Sequence, residues 1–277
     1  MKLPFSFNGH TTRVSAAEAG GGSGVAPRLA RLRVALIGPL ALLLVWWLAF
    51  DAQWISHKLL PSPWATVQSL WQSVADGTIT KDFNGSLYRT LYAFAIAAVA
   101  GIPVGILFGA NQKIYRSIEF LVDFFRSTPA TAMFPLFLLI FGIGDFAKIA
   151  VAAFAAWLVV VFNVAYGVMN ARQTRILAAR VMGASKLRVF GDVMFFESLP
   201  QTFIGLRMAV SVALVVIIVA EMFIGSSDGL GRRIIDSQQV FDLKAMYASI
   251  IASGIMGYGF NLFFLGIEKW LVHWSGK

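Results

Sequence analysis

Residues 147–169 read AKIAVAAFAAWLVVVFNVAYGVM, an apolar run whose one charge, Lys148, sits at its start. A helix of about 20 apolar residues is as long as a bilayer's hydrocarbon core is thick, so this run predicts a membrane-spanning helix. The pattern repeats in both directions along the chain. Segments near 34–52, 88–110, 201–224 and 246–268 have the same length and character. A sixth, near 118–141, is interrupted: Pro129 and Pro135 each remove a helix hydrogen bond, and Glu119, Asp123 and Arg126 crowd its start. It is expected as one kinked helix, which can still span when buried against its neighbours. The two prolines leave open a gating hinge or a static kink that makes packing room. Met133 and Phe134, between them, read as core packing.

Composition agrees with this reading. The 277 residues are 58% hydrophobic and only 13% charged, with a mean hydropathy of +0.72, too apolar for a soluble domain of this length. The predicted fold class is all-α, a polytopic membrane protein of about six transmembrane helices. Residues 1–27, with Gly20-Gly21-Gly22-Ser23-Gly24, carry too little apolar area to order themselves and read as a flexible cytoplasmic tail. They do not read as a cleavable signal peptide, because the apolar stretch begins only after Arg28, Arg31 and Arg33. Residues 28–277 form the transmembrane domain.

The net charge of +9 is split into short clusters between long apolar runs. No continuous basic face survives, so lipid is the expected anionic partner and nucleic acid is not. With the N-terminus inside, 16 of the 23 Lys and Arg residues fall on the cytoplasmic side, Arg126 among them. The remaining seven are Lys58, Lys81, Arg89, Lys148, Arg232, Arg233 and Lys244, and this bias predicts N-in, C-in. Between the first two spans, Ser62 as N-cap and Pro63 at the first helical position open a helix with Val67, Leu70, Trp71 and Val74 at helical spacing. Such a helix lies flat on the outer face or simply covers the bundle.

Beyond residue 169 about 30 residues separate two spans, more than a helix connection needs. The segment 170–188 reads NARQTRILAARVMGASKLR. Ile176, Ala179, Val181 and Met182 form a short apolar stripe, Gly183 ends a helix, and Ala184-Ser185 starts a second one along the cytoplasmic face. Small residues beside the turn leave a low surface that a partner's cleft can close over. Periodicity alone supports an amphipathic helix resting on the membrane equally well.

The stretch Leu177-Ala178-Ala179-Arg180-Val181-Met182-Gly183-Ala184-Ser185, with Leu199-Pro200 and Gly205-Leu206-Arg207, resembles the EAA loop of ABC importer permeases of the binding-protein-dependent type. Leu60-Pro61-Ser62-Pro63, Arg126-Ser127-Thr128-Pro129, Pro135-Leu136, Phe141-Gly142-Ile143-Gly144, Ala220-Glu221-Met222 and Gly229-Leu230-Gly231 are similar to the nitrate, sulfonate, taurine and bicarbonate branch. The resemblance runs over roughly residues 60–270 and implies a type I ABC importer permease fold. Two positions depart from the pattern: the family's glutamate falls at Leu177, and the first proline expected after the loop falls at Phe196. An exposed salt bridge is worth about 0–1 kcal/mol, so docking by shape should survive the first loss.

What the resemblance implies is a permease subunit in the bacterial inner membrane, paired with a second copy. Two ATP-binding ABC subunits would dock inside, and a periplasmic or lipoprotein substrate-binding protein outside. It also implies a cytoplasmic coupling loop over 170–200 with a coupling helix over 178–187, where Ala178, Ala179, Arg180, Met182, Gly183, Ala184, Ser185, Leu187 and Arg188 meet the ATPase. The transported solute would be a small anion, aliphatic sulfonate or taurine first and nitrate or bicarbonate second. An ion-gradient-driven secondary transporter and a non-transporting membrane scaffold are the alternatives.

The chain carries no GxxxxGK[ST] phosphate loop, so ATP and Mg are expected on the partner and no cofactor on this chain. The absence of Cys excludes disulfides and thiolate metal sites. His10, His57 and His273 lie outside the spans and far apart, which argues against metal or nucleophilic catalysis. The polar residues within spans are Ser127-Thr128, Asn163, Glu221 and Asn261. Ser127, Thr128, Pro129, Asn163, Glu221 and Met222 are the candidates for the translocation path or its gate. A carboxylate in hydrocarbon costs about 2.5–3.5 kcal/mol, so Glu221 should face a cavity or a partner; a structural bond to a neighbouring helix explains it as well.

Overall fold

The computed structural model describes residues 25–272; of the tail expected at 1–27, residues 1–24 lie outside the described residues and 25–27 open the first helix. In chain order the helices are α1 (Val25–Asp51), α2 (Pro63–Ala75), α3 (Thr78–Ala110), α4 (Gln112–Ser127), α5 (Phe134–Phe141), α6 (Asp145–Met169), α7 (Gln173–Val181), α8 (Lys186–Val189), α9 (Phe195–Phe223), α10 (Leu230–Gln239) and α11 (Leu243–Leu271). No strand occurs among the described residues. Four spans stand as continuous helices: α3, α6, α11, and the run Lys186–Phe223 that contains α9. α1 falls where the first span is expected, but its described apolar part, Leu36–Asp51, is shorter than a full crossing.

The interrupted segment departs from expectation. It is two helices bent by 91° at Thr128-Pro129, not one kinked helix. Thr128 (ψ 125°) and Pro129 (ψ 121°) are both extended, because a residue before proline is pushed out of the helical region. A short 3-10 turn, Ala130–Met133, follows, and Pro135 falls in the first turn of α5, where its missing N–H costs nothing. Pro129 therefore lies between helices and Pro135 at a helix start, and neither interrupts a helix interior. The short helix α2 forms as read: the Ser62 hydroxyl accepts from the Ala65 amide at 3.1 Å, with Pro63 next. α10, by contrast, was not anticipated from the sequence.

The core is α6 packed between α3 and α9. α3 presents small residues every fourth position, Ala93, Ala97, Gly101, Gly105 and Gly109, all buried. α6 answers with Val160, Val164 and Val168 at the same spacing, so the two backbones meet as closely as small-residue membrane interfaces allow. A Cβ on Gly105 would lie 2.7 Å from the Val164 Cβ and 2.9 Å from the Val161 carbonyl oxygen. Gly105→Leu is expected to destabilise by about 1–3 kcal/mol or more through overpacking. Gly254→Leu, on α11 where an added Cβ meets nothing within 4 Å, should melt like the parent in detergent. Equal melting of the two variants would refute this packing.

Candidate docking loop and translocation path

At one end of the core, α6 runs out at Met169 and α9 begins, and the 170–194 segment lies between them. α7 ends at Val181 and Gly183 adopts φ +81°. The Gly183 amide donates to the Arg180 carbonyl and the Ala184 amide to the Ala179 carbonyl, both at 3.0 Å. These are the two bonds of a glycine-terminated helix end that reverses the chain. Ser185 then caps α8, accepting from the Arg188 amide.

The apolar residues of this loop do not form one stripe. Ile176 and Ala179 turn inward with Ala171 and Val189 and make a small private core. Val181, Met182 and Leu187 face outward, 87%, 80% and 84% exposed. Ala178, Arg180, Gly183, Ser185 and Arg188 are also exposed, Ala184 is half-buried, and Ala179 supports the turn from beneath. The second helix is not a separate element on the membrane face. α8 passes through one π turn, Phe190–Met194, directly into α9, a 38-residue run from Lys186 to Phe223. Glu197 in α9 ties the loop down through Arg175 and, at 3.9 Å, Arg172.

At the opposite end lies a feature the sequence reading missed. Arg89 of α3, only 3% exposed, contacts three carboxylates from three parts of the chain: Asp145 of α6 at 2.8 Å, Glu221 of α9 at 2.8 Å and Asp228 at 2.5 Å. Glu221 also accepts from the Ser86 hydroxyl at 2.7 Å and the Gly231 amide at 3.0 Å. Lys148, buried as well, donates to Asp145 and to the Ser226 hydroxyl. Glu221, 1% exposed, is thus held by donors from α3 and α10, and Met222 beside it is half-buried. The clue in the sequence was topological: Arg89, Asp145, Glu221 and Asp228 all fall near span ends on one side.

Asn163 is likewise internal. Its amide donates to the Val159 carbonyl and accepts from Gln201, and its Cβ fills the place a side chain on Gly205 would need. It fastens α6 to α9. Arg232 and Arg233, two of the seven cations counted outside, are engaged: Arg232 with Asp236 at 2.9 Å and Arg233 with Asp82 at 3.4 Å. Of the path candidates, Thr128 and Pro129 line a cavity of about 300 Å³ at the α4–α5 break, and Ser127 beside them is exposed. Arg126 lines the same cavity, beside the middle of α6.

The fold is that of type I ABC importer permeases. The membrane protein of the MetNI methionine ABC transporter, in an inward-facing form, matches 68% of this chain and 94% of its own at a TM-score of 0.59 and 23% identity. An amino acid ABC transporter chain matches 73% of this chain and 98% of its own at 0.60 and 19%. The family model "Binding-protein-dependent transport system inner membrane component" matches residues 101–275, and the chain belongs to that family. The taurine transport system permease protein of Escherichia coli K12 is 30% identical over 247 residues, 87% of this chain and 90% of the relative. The bicarbonate transport system permease protein of Synechococcus elongatus is 30% identical over 202 residues, 73% and 69% of the two chains. The protein is accordingly a multi-pass membrane permease component, in the branch that holds sulfonate, taurine and bicarbonate systems.

Proposed function

We propose that the chain forms, as a homodimer, the translocation path of an ATP-driven importer for a small anionic solute. An aliphatic sulfonate such as taurine is the first choice of solute and nitrate or bicarbonate the second. Two separate ATPase subunits bind ATP and Mg and dock on the 170–194 loop, a substrate-binding protein docks at the opposite, outer end, and both termini face the cytoplasm. The carrying observation is the turn at Gly183, where three large apolar side chains stand in solvent on a rigid, internally cored element. Exposed apolar clusters of this kind mark protein contacts. Closure of the ATPase pair would shift the two loops and rock the helices between inward- and outward-open states. The chain itself catalyses nothing in this reading.

Affinity purification of the intact complex is expected to bring down an ATPase subunit and a binding protein, the latter melting higher with taurine than with bicarbonate. Uptake of taurine into cells should stop on ATP depletion and continue when the proton gradient is collapsed. The reverse dependence would establish a secondary transporter, and recovery of no ATPase at all would leave a scaffold.

A further inference from the structure

The cations of this chain sort into two kinds. Arg89, Lys148, Arg232 and Arg233 each have carboxylate or hydroxyl partners at hydrogen-bond distance. Arg126 does not. Its guanidinium lies over the Phe162 ring, 4.0 Å from the centroid. The nearest carboxylate oxygen, on the exposed side chain of Asp123, is 3.6 Å away. The guanidinium face is engaged by the ring and Nη1 pairs with Asp123 only at 3.6 Å, beyond hydrogen-bond distance, so its N–H groups can still take a planar or tetrahedral oxyanion.

Arg126 also lines the half-open cavity of about 300 Å³ at the α4–α5 break, whose other walls include Thr128, Pro129, Met133, Phe154 and Leu158. Phe154 and Leu158 bracket the midpoint of α6, so the cation stands midway between the docking loop and the ion cluster. The Thr128 hydroxyl is bonded to the Phe124 carbonyl, leaving one charge among apolar walls. A cation at that depth is costly unless it faces a polar path or an anion, and the volume is that of a small-ligand site.

We propose that Arg126 is the solute-binding cation of the translocation path, taking the sulfonate, carbonate or nitrate oxygens of the solute at the α4–α5 break. This rests on the importer reading above. A single exposed guanidinium, with its second partner a ring and not a carboxylate, binds weakly enough to release the solute, as conduction requires.

Because the chain has no native Cys, Arg126→Cys places one thiol at this position. In the reconstituted complex with its ATPase and binding protein, uptake of radiolabelled taurine is expected to fall about tenfold or more, the range of a lost charged hydrogen bond. A cationic methanethiosulfonate should restore much of it, an anionic one none, and taurine should slow labelling. Unchanged uptake, or equal rescue by a neutral reagent of the same size, would overturn the proposal. If Arg126→Cys fails to co-purify with the ATPase, Arg126→Lys is measured: a raised KM for taurine supports the site, and a wild-type KM overturns it. Failure of the importer reading would show separately, as wild-type uptake that ignores ATP.

Discussion

Arg89→Ala is expected to abolish the folded permease. The substitution leaves Glu221, fully buried, and the half-screened Asp145 and Asp228 facing one another without their shared cation. Removing one partner of a buried ion pair costs about 3–5 kcal/mol because the remaining charge has no solvent to return to. That is a large share of the 5–15 kcal/mol by which proteins are stable. The readout is the yield and melting temperature of detergent-extracted protein on size exclusion. Arg89→Lys should rescue little, since one ammonium replaces a fork that reaches three carboxylates. Arg89→Met combined with Glu221→Gln should recover part of the loss by removing the orphaned charge. An Arg89→Ala protein that melts like the parent would show that the cluster contributes nothing.

Gly183→Val should leave folding almost intact and disable transport. No atom lies within 4 Å of a Cβ built at this position, so nothing is crushed. The penalty is in the backbone: φ is +81°, a region where a β-branched residue is strained by about 1–2 kcal/mol. The chain relieves it by giving up the two turn bonds, and Val181, Met182 and Leu187 lose their relative positions. The expected result is ATP hydrolysis that no longer drives uptake, at an unchanged melting temperature. Gly183→Asn, which tolerates the left-handed region better, should keep more uptake than Gly183→Val. Full uptake in Gly183→Val would remove the turn from the coupling mechanism.

Helix existence was readable from the sequence because lipid imposes it: a run such as 147–169 has no other way to satisfy its backbone in hydrocarbon. The boundaries were less so. α3 begins at Thr78, ten residues before the apolar stretch at 88, because Arg89 and Ser86 are polar residues inside a helix whose partners come from 56 to 144 positions away. The same distance hid the ion cluster. Window hydropathy scores Arg89 and Glu221 as interruptions, and only the packed bundle makes them a pair. The Gly183 turn was legible, since helix stops are local, yet the division of the loop's apolar residues into an inner and an outer set was not. It depends on Val189, which arrives from beyond the turn. Pro129 was visible, but its neighbour Thr128 going extended decides that the chain bends by 91° and opens a cavity.

The run from Lys186 to Phe223 is one helix of 38 residues, about 57 Å long at helical rise. Its near end carries the turn with Val181, Met182 and Leu187, and its far end carries Glu221 inside the Arg89 cluster. A rod of this length has two addresses on opposite sides of a membrane and no loop between them in which a push can be dissipated. Its irregular joints lie close together near one end: the π turn at Phe190–Met194, where the winding holds an extra residue per turn, and Pro200, which withholds a backbone donor inside α9. Torque applied at the turn is therefore either stored in that short stretch or delivered whole to the carboxylate at the other end.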